Sequence, residues 1–358
     1  MDTKQKIDLF SDYILASTGL VTCTGISQML NNTISHDIFT NLLSEDEFTQ
    51  KDFWEYSKVI VRQIEDESGC IIVDDTIHEK PYTDESDLVC WHFDHKTGKS
   101  IKGINFLSFI YQSFKGESLI NYELVKKTKK IEDKKTGKIK KKSEKTKNEM
   151  AMERLQIIRG LNCVKFKYVL ADVWFSSKDN MNFIAQNLGK SFVIPLKSNR
   201  KVALSLENKN RGKYENISEI NFEPETTKEV YLEGVIFPIK ILKQVFKNRD
   251  GSEGIQYLAT NEISLEYLEI TTIYKRRWKV EEFHKSSKQN LNVERSPQKK
   301  VKTQANYIFM AMVGYLKLVR ISMAEKINHF AMKSKIYLKG LRIMFEEVKR
   351  LQLCLGSS

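Results

Sequence analysis

Two short apolar runs that end in aspartates constrain this chain more than any other feature. Residues 69–75 (GCIIVDD) and 167–172 (KYVLAD) have the length and β-branched content of strands, and each runs directly into a carboxylate. Residues 88–93, 104–111, 118–125 and 191–196 read as further strands, while 149–161 has helical period and 179–188 reads as a second helix. Strands alternating with helices predict an α/β layer with a central mixed sheet. In such folds a residue at the carboxyl end of a strand stands over the sheet edge where ligands gather. A lone aspartate there is more often a cap or turn former, so Asp75 and Asp172 gain weight only as part of a set. Alternation puts Ile71, Val73 and Asp75 on one face and Ile72 and Asp74 on the other, and does not choose between the two aspartates. Asp94, in a polar turn with His95, Lys96 and Gly98, and Asp179, at a helix start, are weaker rivals.

A third acid lies far downstream. In residues 274–288 (YKRRWKVEEFHKSSK), Tyr274, Arg277, Glu281 and Lys288 follow the spacing Y-x2-R-x3-E-x6-K. At 3.6 residues per turn these offsets return to nearly one helix face. One stripe then carries a ring, a guanidinium, a carboxylate and an ammonium. Magnesium takes oxygen ligands from one or two carboxylates, and a pair of ions sharing carboxylates can drive phosphoryl transfer. Arginine offers phosphate a bidentate fork and lysine a point charge. Trp278 could stack on an extruded base, although a tryptophan here more often packs in a core.

The charge balance fits a polyanionic partner. The chain of 358 residues carries a net charge of +12 and a pI near 9.2, as expected of proteins that meet DNA, RNA or anionic membrane. Much of the excess sits in residues 126–147, where twelve lysines face three acids. That run has almost no apolar residues and reads as a solvated flexible loop able to touch phosphate. The most apolar stretch, 307–316 (YIFMAMVGYL), is too short to span a membrane and is followed by Lys317 and Arg320; it reads as a buried helix. The N-terminus lacks a signal-peptide core. Five scattered cysteines without C-x-x-C spacing predict reduced thiols, no zinc site and a cytosol-like compartment.

The remaining segments complete the organisation. Residues 1–66 are helical by period. Within them 25–43 resembles a helix-turn-helix broken at Asn31-Asn32-Thr33, with Ser35 capping the second helix, or equally part of a plain helical bundle; that second helix has no lysine or arginine to reach a phosphate, which weakens the DNA reading. Residues 198–262 alternate in short pieces and contain an Asp250-Gly251 turn, which predicts a small all-β insertion. Residues 265–291 read as one long helix, with Ser264 as a possible N-cap and Pro297 beyond its end. Two further helices are expected in 303–353. The expected division is 1–66, an N-terminal helical DNA-binding region; 67–197, the first part of a catalytic domain; 198–262, the β-rich insertion; 263–300, the second part with the Glu281 helix; and 301–358, a C-terminal helical region.

These residues resemble a known family. Y-x2-R-x3-E-x6-K is the motif of DDE transposases of the insertion-sequence-4 type, and residues 277–285 (RWKVEEFHK) look like that family's glutamate helix. Residues 73–76 (VDDT) are similar to its first motif, where the resemblance favours the acid directly before Thr76, Asp75, and residues 170–172 (LAD) to its second. The resemblance covers about residues 70–300. It implies an RNase H-like fold, a mixed five-stranded sheet with an all-β insertion, flanked by N- and C-terminal helices. It further implies cut-and-paste transposition with two Mg2+ ions, Mn2+ substituting, held by Asp75, Asp172 and Glu281 as catalytic ligands. Tyr274, Arg277 and Lys288 would hold phosphates, and Trp278, His284 and Lys285 would lie beside the DNA end. The implied partners are double-stranded DNA, as terminal inverted repeats and target, and a second copy of the chain in the DNA complex, with no membrane. The implied location is the cytoplasm of a prokaryotic host, on the nucleoid. One departure is visible. Relatives that pass through a DNA hairpin carry a tryptophan shortly before a Thr-Asn or Thr-Ser pair, where residues 255–261 (IQYLATN) offer only Tyr257. Two other readings share these residues: a transposase descendant that binds DNA without cutting it, and a stand-alone RNase H-like nuclease.

Overall fold

The computed structural model describes residues 1–94, 98–132, 137, 139–247 and 250–355, with side chains to residue 353. The chain opens with helices α1 (Thr3–Ala16), α2 (Cys23–Met29), α3 (His36–Ser44) and α4 (Gln50–Ile64). Strands β1 (Cys70–Glu79), β2 (Cys90–Asp94), β3 (Lys99–Ser113), β4 (Gly116–Leu124), β5 (Lys129–Glu132) and β6 (Ile139–Lys142) follow. Next come α5 (Lys147–Gly160), β7 (Tyr168–Ala171), α6 (Lys178–Asn182), β8 (Ser191–Leu196), β9 (Lys201–Ala203), α7 (Leu206–Asn210), β10 (Glu215–Asn216), β11 (Thr227–Leu232), β12 (Ile239–Lys247) and β13 (Glu253–Thr260). Helices α8 (Tyr267–Lys275), α9 (Trp278–Asn290), α10 (Val301–Glu325) and α11 (His329–Leu355) close the chain. The result is a mixed α/β fold with a large mixed sheet and helices at both ends, consistent with an RNase H-like domain.

Two compact units emerge. The first comprises Met1–Ile60, Ile77–Asn105 and Phe283–Ser358, the second Val61–Thr76 and Phe106–Glu282. The first unit is organised around α10, which is long and apolar enough to cross a membrane by composition, yet 72% of its most apolar window is buried. Inside this unit Phe309 stacks on Phe48 with centroids 4.6 Å apart and meets Phe53 and Tyr56 edge-on. Tyr307 meets Phe10 edge-on, and the Asn306 amide donates to the carbonyls of Leu43 and Asp46. Ser35 caps α3 as expected, and Asn31 and Asn32 take left-handed φ of 52° and 57° in the turn before it.

The second unit holds the core sheet in the order β4–β3–β1–β7–β8, then β13–β12–β11–β9–β10. Strands β1, β7 and β8 run parallel; β8 and β13 run antiparallel. The first five of these strands match the five-stranded expectation. The insertion is strand-rich as expected, but its strands extend the same sheet, which counts eleven strands among the described residues. The start of β1 is fixed by close approach. The Tyr111 hydroxyl accepts from Asp66 N at 2.7 Å and lies 3.0 Å from the Lys165 carbonyl, and a Cβ on Gly69 would sit 2.1 Å from that oxygen.

Three other expectations are corrected. The long helix over 265–291 is two helices, α8 and α9, broken at Arg276–Arg277. There the Arg276 guanidinium donates to the Ser68 carbonyl and Arg277 turns to an acid, so tertiary contacts override local helix period. Its first helix is capped by Glu266 rather than Ser264, the Glu269 carboxylate accepting from the Glu266 amide. In the lysine-rich run, β5 and β6 pair antiparallel instead of forming an irregular loop. Lys134, Lys135 and Lys138 of that run lie outside the described residues, as do His95 and Lys96 and the side chain of Cys354; Cys23, Cys70, Cys90 and Cys163 are free thiols.

Candidate active site

Sheet register brings the upstream acids together. The pairing Val73↔Ala171 of parallel β1 and β7 places Asp74 beside Asp172 in the next row. Strand β1 does not stop at the acids but continues to Glu79, so both lie within it. Asp172 sits just past the end of β7, where its Oδ1 accepts from the Trp174 amide at 2.9 Å and caps the turn Val173–Phe175. That cap orients the carboxylate without consuming its second oxygen.

Alternation along β1 then separates the two neighbours. Val73, with Ala151, Met152 and Leu155 of α5, lines a small apolar cavity, and Asp75 belongs to that face. Its Oδ1 receives Lys147 Nζ, the first residue of α5, at 2.6 Å, and the same ammonium lies 4.8 Å from the Trp174 ring centre. Asp74 faces the other way. Its Oδ2 accepts from Arg277 Nη1 at 3.0 Å, and Arg277 Nη2 reaches Glu281 Oε1 at 3.5 Å. The guanidinium also lies 5.9 Å from the Tyr274 ring centre. The break between α8 and α9 makes this possible: it puts Arg277 at the corner and Glu281 in the first turn of α9. Thus Asp74, Arg277 and Glu281 form one connected group, with Asp172 in the adjoining row, and Asp75 is held by Lys147 on the α5 face.

Electrostatics marks this group as overloaded with negative charge. Burial first, then the charges of Asp172 and Asp75, push the Asp74 carboxyl up to about 7 despite Arg277. Burial, and then Asp75, also raise Asp172 against the Trp174 hydrogen bond and the nearby cations. Burial raises the Tyr274 hydroxyl to about 12. Among the described residues no three His, Cys, Asp or Glu side chains converge closely enough to hold a metal ion. The donor chemistry nevertheless fits a hard cation: crowded, partly buried carboxylate oxygens whose mutual repulsion added positive charge would relieve.

The rest of the stripe divides between the units. Trp278 is 64% exposed, so it is not a core residue. His284, Lys285 and Lys288 belong to the first unit. There His284 is buried beside Phe283, Lys285 lies 5.3 Å from the Phe330 ring centre, and Lys288 donates to the Ile77 carbonyl and pairs with Glu294 at 3.2 Å. Sequence reasoning missed Lys147 as a neighbour of the acids. The signal was there: Thr146 followed three residues later by Glu149 is a capping box, with both hydrogen bonds made, and it fixes Lys147 as the first residue of its helix.

No curated protein matches the sequence. The family model described as DDE superfamily endonuclease matches residues 3–215, a span that includes Asp74, Asp75, Lys147 and Asp172 and ends before Glu281. That match covers more than half of the sequence, and the chain therefore belongs to the DDE superfamily endonuclease family.

Proposed function

We propose that this endonuclease is a cut-and-paste DNA transposase of the insertion-sequence-4 type. The observation that carries the reading is the Arg277 fork spanning Asp74 and Glu281, with Asp172 in the adjoining row. We further propose that Asp74 joins Asp172 and Glu281 in holding divalent ions, because it is bonded to the same guanidinium as Glu281, with Asp75, whose charge also acts on Asp172, as the rival acid. Two such ions, Mg2+ or Mn2+, would supply an activated water and stabilise a leaving oxygen. Arg277, its fork matched to phosphate, would bind the backbone beside the cut, with Tyr274 packed behind it. Exposed Trp278 would stack on a base at the DNA end. His284, Lys285 and Lys288 remain candidates for DNA contact from the first unit. Asp75 and Lys147 would set the position of the site from the α5 face.

On the strand that is transferred the chemistry is two in-line displacements at phosphorus, and a further displacement of the same kind breaks the opposite strand to free the element. In the first, a water oxygen bonds to phosphorus and the 3′-oxygen of the element end leaves as a hydroxyl. In the second, that 3′-hydroxyl attacks a target phosphodiester and expels the target's own 3′-oxygen. One acid cluster can serve both. The test uses the full chain, Mg2+ and a duplex bearing the inverted repeat that flanks the reading frame, working as it would on the nucleoid of a prokaryotic cytoplasm. Nicking at the repeat end followed by joining to a second DNA is the expected result. Nicking without joining would leave a nuclease, and binding without nicking an inactive descendant.

Joining two element ends requires two sites, and α11 offers a means of pairing them. Beyond Met332 this helix leaves the core, and Tyr337, Leu341, Met344, Val348 and Leu351 are exposed at spacings of 4, 3, 4 and 3 residues. That spacing would suit the seam of a two-helix coiled coil, with a second copy of the chain as a partner of the same period; Ile336, Leu338, Ile343 and Phe345 of the same helix are exposed as well. Leu341→Lys with Val348→Lys is expected to turn a dimer into a monomer by light scattering and to leave the melting of each copy's core unchanged. A parent chain that is monomeric with and without DNA overturns the pairing.

A further inference from the structure

The lysine-rich ribbon β5–β6 has no place in the site described above, and its composition works against its own stability. Its register sets Lys129 opposite Lys142 and Lys130 opposite Lys141. Like charges directly opposite each other destabilise an antiparallel pair, and a lone two-stranded ribbon is marginal even without them. Burial does not compensate, since Ile131 is 43% and Ile139 72% exposed. These two isoleucines lie on opposite faces of the ribbon by register, so neither face is an apolar one that could enter a lipid surface. What the ribbon presents is ammonium groups on both faces.

Its root is tied to the acids. Thr128 Oγ1 donates to Glu144 at 3.1 Å, closing the base of the ribbon, and Lys145 pairs with Glu153 of α5 at 2.7 Å. Lys147, whose ammonium holds Asp75, follows Lys142 by five positions, with four residues between them. Even fully extended, that linker spans no more than about 18 Å, or about five base pairs of duplex. A two-stranded ribbon is narrow enough to enter the major groove, which is about 12 Å wide.

We propose that β5–β6 is a duplex-DNA arm that lies along the groove within a few base pairs of the cut phosphate and neutralises the phosphates flanking it. This rests on the reading of Asp74, Asp172 and Glu281 as a DNA-cutting site, and adds a second, separable hold on the duplex. The like charges of Lys129 and Lys142, set opposite each other, are then a stability cost that DNA removes on binding.

The experiment measures full-length protein on a duplex of about 30 base pairs by fluorescence anisotropy across a salt series. The variant is K129Q/K130Q/K141Q/K142Q. The parent's log–log salt dependence should flatten in the variant by about 0.9 for each phosphate no longer neutralised, about 3 to 4 in all. K130Q/K141Q alone should give about half of that, and the corresponding four-arginine variant should keep the parent slope. Because the substitutions lie outside the core, the variant's melting temperature should stay close to the parent's, which separates weaker phosphate binding from impaired folding. A flattening of less than about one in a variant that melts like the parent overturns the arm, even if the parent cleaves DNA. A parent that binds no duplex at low salt overturns the site reading and the arm together.

Discussion

A chain carrying Asp172→Asn is expected to bind duplex DNA as the parent does and to nick it about a thousandfold more slowly or worse. Asparagine keeps an oxygen that can accept from the Trp174 amide, so the cap on Val173–Phe175 survives. What disappears is the negative charge. The transition-state stabilisation that depends on it is several kcal/mol, and about 4 kcal/mol corresponds to a thousandfold in rate. Asp74→Asn and Glu281→Gln should behave alike, because both touch the same guanidinium as members of one group. Asp75→Asn should cost no more than about tenfold, since that carboxylate acts through Lys147 on the other face of β1. Relaxation of a supercoiled plasmid in Mg2+ reads all four rates. If Asp75→Asn is as damaging as Asp172→Asn while Asp74→Asn retains parent activity, then Asp75 and not Asp74 is the metal-holding neighbour.

Phe309→Ala is expected to destabilise the α10-centred unit by about 3–5 kcal/mol. The ring is buried against Phe48 in the loop before α4 and against Phe53 and Tyr56 on α4, so truncation leaves a cavity bounded by two segments. Tyr82→Ala, at a 99% exposed side chain of the same unit, should shift stability by no more than about 0.5 kcal/mol. Urea unfolding of both variants decides the matter: a midpoint for Phe309→Ala within error of that for Tyr82→Ala would mean that α10 is not the centre of that core.

Much of this architecture was legible in the sequence because it is written in local period. The apolar runs into Asp74–Asp75 and Asp172 became adjacent parallel strands, and the capping signal at Ser35 held. The features that escaped are those decided by distant partners. Nothing local marks Arg276–Arg277 as a corner, since no glycine or proline stands there and the helical period runs through it; the Ser68 carbonyl and Asp74 impose the break. The pairing of β5 with β6 has no alternation of apolar and polar residues to announce it. That β13 would join β8 is a matter of which sheet edge is vacant, which composition does not encode. Alternation gave Asp74 and Asp75 opposite faces; only the packing of α5 under Val73 says which face is which.

The tandem acids in β1 have a further consequence for how this segment tolerates length changes. Deleting one residue upstream of Asp74 would invert the strand's two faces, swapping the apolar residues that pack beneath α5 with those opposite. For most strands such a slip would also remove the reactive group from its position. Here the neighbouring aspartate would rotate into the vacated place, so chemistry could outlive a frameshifted pairing that stability would not. Selection against such deletions would then act through the residues 70–73 and their hydrophobic packing, with the doublet itself comparatively forgiving.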